Sequence, residues 1–132
     1  MALQYRITKR NNSIQNNTPQ YILQAISKGT VDLEQLSADI SNECSLHSVD
    51  VQAVLIALGI KMDFYLQDGY TIDMGNVGKF KMGLQSVAAP TPEELSPKKN
   101  IKKFSINYQP SRKLKKMLKA GVQVYKEGSR HL

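Results

Sequence analysis

The sequence predicts an α+β chain in which a strand-rich start leads into two helices, a three-stranded antiparallel sheet and a closing basic helix. Three observations predict it. Apolar residues recur at every second position around Leu3, Tyr5 and Ile7, around Phe80, Met82 and Leu84, and around Phe104, Ile106 and Tyr108. They recur at helical spacing between Asp32 and Leu66, and glycines or prolines stand where one pattern gives way to the next.

The elements follow in order. Leu3, Tyr5 and Ile7 alternate with polar Gln4, Arg6 and Thr8, which predicts a half-buried strand; a polar loop, Asn11 to Gln20, precedes a second strand through the β-branched and aromatic run Tyr21 to Ser27. Residues 1–29 therefore form a hairpin-like extension that Gly29 closes. Asp32 with Gln35 makes a capping-box-like start, and Leu33, Leu36 and Ile40 share one helical face, so the first helix runs from Asp32 to about Glu43. Ser48 is placed to cap a second helix whose inward stripe is Val51, Val54, Leu55, Leu58, Met62, Tyr65 and Leu66, with Gly69 to end it.

Ile56 and Ile60 widen that apolar stripe beyond what one short helix covers, which points to a second subunit as the partner. Each aliphatic side chain fully buried there contributes about 1.5–3 kcal/mol. The expected dimer core is Val51, Leu55, Leu58, Met62, Phe80 and Tyr108. Gly75-Asn76-Val77-Gly78 turns Ile72 and Met74 back into the strand of Phe80, and a third strand carries Phe104 to Tyr108 before Pro110 stops it. Between them residues 86–100 hold three prolines and no periodicity, which predicts an exposed, mobile arm. Ser111 caps a last helix with Leu114, Met117 and Leu118 inward and its cations outward, ended by Gly121; the tail, residues 122–132, adds a short strand through Val122 and Val124.

Charge is segregated along this order. The chain carries a formal +7, yet Thr30 to Asp73 holds eight acids and one base, Lys61, whereas Lys79 to Lys119 holds eleven Lys or Arg against Glu93 and Glu94. A one-sided positive field of this kind suits a polyanion. A lone cysteine, Cys44, makes no internal bridge and reads as a small buried hydrophobe in a reducing cytoplasm. The longest apolar stretch, Val54 to Leu58, is too short to span a bilayer, and residues 1–10 hold no continuous apolar run of a secretory signal. The triplets Asn11-Asn12-Ser13 and Asn16-Asn17-Thr18 accordingly read as an Asn-rich turn rather than glycosylation sites.

Nothing predicts an enzyme, a cofactor, a metal or a small-molecule substrate. Cys44 and His47 have zinc-like spacing but lack two further ligands, since the other histidine is His131 near the last residue. Asp63, Asp68 and Asp73 fall on a helix end, a turn and a strand where carboxylates are solvated. Gly75 to Phe80 lacks the Gly-Lys-Ser/Thr ending of a phosphate loop. The alternation of Phe80, Phe104 and Tyr108 places them in the core rather than on a base-stacking platform.

Local motifs then fit one family. Asp32-Leu33-Glu34-Gln35-Leu36 looks like a first helix, Gly78-Lys79-Phe80 like a Gly-x-Phe hairpin signature, and Tyr108-Gln109-Pro110-Ser111-Arg112-Lys113-Leu114-Lys115 like a Phe-x-Pro-Gly-Lys-x-Leu-Lys ending. In this order over Thr30 to Lys119 they resemble the HU/IHF family of bacterial histone-like DNA-binding proteins; the added N-terminus resembles a divergent HU-like branch. The resemblance implies an HU/IHF-like domain at 30–121 between the extension and the tail. It implies two chains with interlocked helical halves, a homodimer or a heterodimer with a related chain, and largely sequence-nonspecific, architectural binding of duplex DNA in the nucleoid. Its phosphate contacts would be Lys79, Lys81, Lys102 and Lys103 on the sheet, Lys98 and Lys99 at the arm base, and Arg112, Lys113, Lys115 and Lys116 on the last helix.

The chain departs from the family at the arm. Family arms carry arginines and a tip Arg-Asn-Pro whose proline wedges between base steps. Here Gly83, Leu84, Gln85 and Ser86 stand where cations are expected, Glu93 and Glu94 follow, and only Pro90, Pro92 and Pro97 remain as wedges, residues that in such a segment more often stiffen a linker. This acidic arm motivates the alternative, an HU-shaped protein-interaction module that has lost strong DNA binding.

Overall fold

A computed structural model describes residues 2–11 and 18–128. The chain folds as two units, one drawn from residues up to Asp32 and from Met117 onward, the other Leu33–Lys116.

In the first unit β1 (Leu3–Asn11) pairs antiparallel with β2 (Pro19–Ile26), Ile7 opposite Leu23, so both strands run further than the apolar alternation alone indicates. The sheet has a third member. β6 (Val124–Lys126) lies parallel to β1, Leu3 opposite Val124, fastened where the Leu3 amide donates to the Gln123 carbonyl at 2.7 Å and the Glu127 amide to the Tyr5 carbonyl at 2.8 Å. The tail thus completes the extension as the order β2-β1-β6. Arg6 adds an exposed ion pair to Glu127 at 3.3 Å. Asn12 and Ser13 of the first Asn-rich triplet, Asn16 and Asn17 of the second, and the last four residues, His131 among them, lie outside the described residues.

The second unit opens with α1 (Leu33–Glu43) and α2 (Ser48–Gln67). The α2 N-cap is His47 with extended backbone, so Ser48 is the first helical residue and not the cap expected of it. At the other end Gly69 takes φ +88° and its amide donates to the Leu66 carbonyl at 3.1 Å, the left-handed stop that glycine permits. β3 (Ile72–Asp73), β4 (Gly78–Ser86) and β5 (Ile101–Pro110) form an antiparallel sheet in that order. α4 (Arg112–Ala120) follows.

The arm differs from expectation in being partly built. Proline starts two short turns of helix, a 3-10 turn at Pro92–Glu94 and α3 (Pro97–Asn100), because its fixed φ suits a first helical position. The Asn100 side chain donates to the Val87 carbonyl at 3.1 Å and accepts from the Ser96 amide at 2.8 Å, which ties the loop across its base.

Few apolar side chains among the described residues are fully buried. Among the described residues the buried apolar side chains are Val51, 5% exposed, and Leu66, 4% exposed. Leu33, Leu36 and Ile40 on α1, Val54 and Tyr65 on α2, and Met117 and Leu118 on α4 were expected inward, yet all are exposed. The buried residue of α1 is instead Ser37, whose hydroxyl donates to the Leu33 carbonyl at 2.7 Å. Cys44 is likewise exposed rather than buried, because it sits past the last turn of α1 with nothing packed over it. Ile60 is 65% exposed, and Val54, Ile56 and Phe64 also face outward, so α2 is apolar well beyond the strip its neighbours cover. No helix among the described residues is long and apolar enough to cross a membrane.

Candidate nucleic-acid interface

Strand alternation sorts the second sheet into two faces. Lys79, Lys81, Gly83 and Gln85 of β4 share one face, and the register sets Gln109, Asn107, Ser105 and Lys103 of β5 opposite them. The other face holds Phe80, Met82 and Leu84 against Tyr108, Ile106 and Phe104. Phe80 and Tyr108 meet with ring centroids 5.1 Å apart, and the Tyr108 hydroxyl donates to the Val77 carbonyl at 2.7 Å, which anchors the β3–β4 turn to β5.

That turn is held tightly. Asp73 accepts from the Gly75 amide at 3.0 Å, and the Met74 amide donates to the Gly78 carbonyl at 2.9 Å. Gly78 has φ +129°, and a Cβ there would fall 2.4 Å from the Gln109 carbonyl oxygen and 2.8 Å from Tyr108 Cε1. Only a residue without a side chain lets the two strands approach this closely. Just beyond, the buried Ser111 hydroxyl accepts from the Leu114 amide at 3.2 Å and caps α4 as expected.

The consequence is a cleft of about 210 Å³ walled by the Gly75 and Gly78 backbone, Gln109 and the start of α4, into which Lys79, Arg112 and Lys115 converge with Asp73 as the single carboxylate. A neighbouring hollow of about 240 Å³ shares Lys79 and Gln109 with it and adds Lys81 and Asn107. The positive end of α4 opens on the first of them, so cationic side chains and helix dipole act on the same space.

The other expected phosphate contacts are placed differently. Lys103 lies on the Lys79 face but opposite Gln85, six residues or roughly 20 Å along β4 from Lys79. The register skips Lys102 at a bulge between Gln85 and Ser86, which separates it from Lys103. Lys98 and Lys99 are exposed on α3, and Lys113 and Lys116 are exposed on α4 outside the cleft wall. Of the six residues expected in a dimer core, Val51 is buried within the chain, Leu55, Leu58, Met62 and Phe80 are half-buried, and Tyr108 is exposed. The amides of Asn107 and Gln109 were missed; their alternation with Tyr108 was the available signal. Among the described residues no group of three or more His, Cys, Asp or Glu is placed to hold a metal. Asp63 instead accepts from Gln67 at 2.7 Å, an ordinary helix-surface pair.

A two-helix start, a three-stranded sheet with a glycine-tight turn and a basic helix opening on a cationic cleft define an HU-like domain. The family model described as "HU domain fused to wHTH, Ig, or Glycine-rich motif" matches residues 1–126, and the chain belongs to this HU-HIG family. Among solved structures, one from Bacteroides vulgatus described as a "Putative bacterial DNA binding protein" superposes with a TM-score of 0.65 at 11% identity, a likeness of fold. The match covers 99% of this chain and 50% of the other, so the chain spans about half the length of that protein. No curated protein matches the chain.

Proposed function

We propose that the chain is a DNA-binding protein that grips duplex phosphates without reading sequence, an architectural, nucleoid-associated role in the bacterial cytoplasm and not a catalytic one. One observation carries this reading: Lys79, Arg112 and Lys115, from strand and helix, share a cleft that the N-terminus of α4 also faces. Phosphate oxygens accept from such cations and from free helix amides alike, and none of these contacts distinguishes one base pair from another. Lys81 and Lys103 extend the positive face along the sheet, with the remaining expected lysines adding to the field.

The working unit is a dimer. Ile56, Ile60 and Phe64 on α2 and the outward row of Phe104 and Ile106 are too apolar to remain in water, and a second copy placed on the helical half would cover them. Light scattering at micromolar concentration is expected to give at least a dimer, and Ile60→Lys with Phe64→Lys to shift that assembly toward smaller species by tenfold or more in dissociation constant.

The binding test is a duplex titration at several salt concentrations. With six to ten phosphates neutralised per dimer, affinity should fall by about a thousandfold or more between 50 and 200 mM salt. Absence of binding at 50 mM would refute the reading and favour the protein-interaction module.

A further inference from the structure

The two edges of the first sheet are built in opposite ways. β6 is three residues long, ends in Lys126 and is flanked by Glu127, the devices by which proteins discourage strand addition. β2 is eight residues long, contains no charged residue and no proline after its first position, and nothing among the described residues pairs with its outer edge. The sheet's cations sit elsewhere: Arg6, Lys9 and Arg10 are on the central strand β1 and Lys126 is on β6. On β2 Leu23 is 70% exposed and Tyr21 is similarly open.

We infer that β2 is a self-pairing edge, joining antiparallel to β2 of a second copy across a two-fold axis at Leu23. The unpaired backbone groups of an edge require another strand as occupant. The missing charge selects a copy of the same strand: in a chain of net +7 it is a place where two copies meet without repulsion. The sequence is self-complementary in that register, with Leu23 facing Leu23, Tyr21 facing the small Ala25, and Ile22 facing Gln24. Tyr21, Leu23 and Ala25 share a face with Tyr5, Ile7 and, opposite Tyr21, Lys9, so pairing continues a mostly apolar face across the axis with its cation set one strand back from the edge. The contact is isologous and closes at two chains, because the far edge of each sheet is the short, charged β6. It is separate from the DNA-binding reading and from the contact proposed for α2.

Cross-linking tests it on the full chain with Cys44→Ser removing the exposed native thiol. In the proposed register two Leu23 positions lie about 4.5–5.5 Å apart at Cα, whereas two Gln20 positions lie roughly 20 Å apart. Leu23→Cys is expected to give a cross-linked pair with a short bismaleimide and Gln20→Cys to give none. No product at Leu23, or equal products at both, overturns the proposal. Sedimentation of Leu23→Lys keeps the two interfaces distinct. If α2 also associates, wild type is expected as tetramer or longer and Leu23→Lys as dimer; if it does not, wild type is expected as dimer and Leu23→Lys as monomer. Association unchanged by Leu23→Lys overturns the proposal in either case.

Discussion

Replacing Lys79, Arg112 and Lys115 together by alanine should flatten the salt dependence of duplex binding by about 2.7 logarithmic units per chain, since each phosphate contact contributes about 0.9. Extrapolated from 1 M, that is about a hundredfold weaker binding per chain at 150 mM salt, or roughly ten-thousandfold for a dimer with both chains changed. The three side chains line one cleft, and none is a packing residue, so thermal melting should be nearly unchanged. Lys98→Ala, Lys99→Ala and Lys102→Ala remove the same formal charge from α3 and the bulge. If the cleft is the contact site, that second set weakens binding much less; equal losses would mean that only the overall field matters, and the cleft would lose its role.

Gly78→Ala should be the most damaging single substitution in the second unit. The added methyl meets the Gln109 carbonyl and the Tyr108 ring at distances no packed carbon tolerates, on a backbone with φ +129°. Left-handed backbone and overpacking together cost about 3 kcal/mol, which for a unit of this size lowers the melting temperature by about 12–24 °C. Gly69→Ala is the matched control, with φ +88° but nothing within 4 Å of the new carbon, and should lose only about 1 kcal/mol. Because Gly78 and Gln109 both wall the cleft, the variant should also lose duplex affinity in proportion to its displaced turn. A melt within 3 °C of wild type would contradict the close approach described at that turn.

Most elements were legible because their causes are local. Alternation in Phe80–Leu84 and Phe104–Tyr108 marks two strands, and Gly69, Gly121 and Ser111 mark helix ends through conformations and hydrogen bonds that each residue controls alone. The parallel pairing of β6 with β1 was not legible, since three residues more than a hundred positions from Leu3 carry no local sign of their partner. Nor was the sorting of adjacent Lys102 and Lys103, which a single skipped residue at the bulge decides. Leu36, Met117 and Leu118 show the limit of periodicity: it marks which face of a helix is apolar, and whether anything covers that face depends on the surrounding chains.

The thin interior has a thermodynamic corollary. Denaturant slopes and heat-capacity increments scale with the apolar surface that unfolding newly wets. A chain in which Val51 and Leu66 are the fully buried apolar side chains among the described residues has less such surface to release by itself than one with a closed core. A second copy covering the outward rows of α2 and β5, as proposed above, should therefore steepen the urea slope, and a dilution series of unfolding curves would measure that added burial directly.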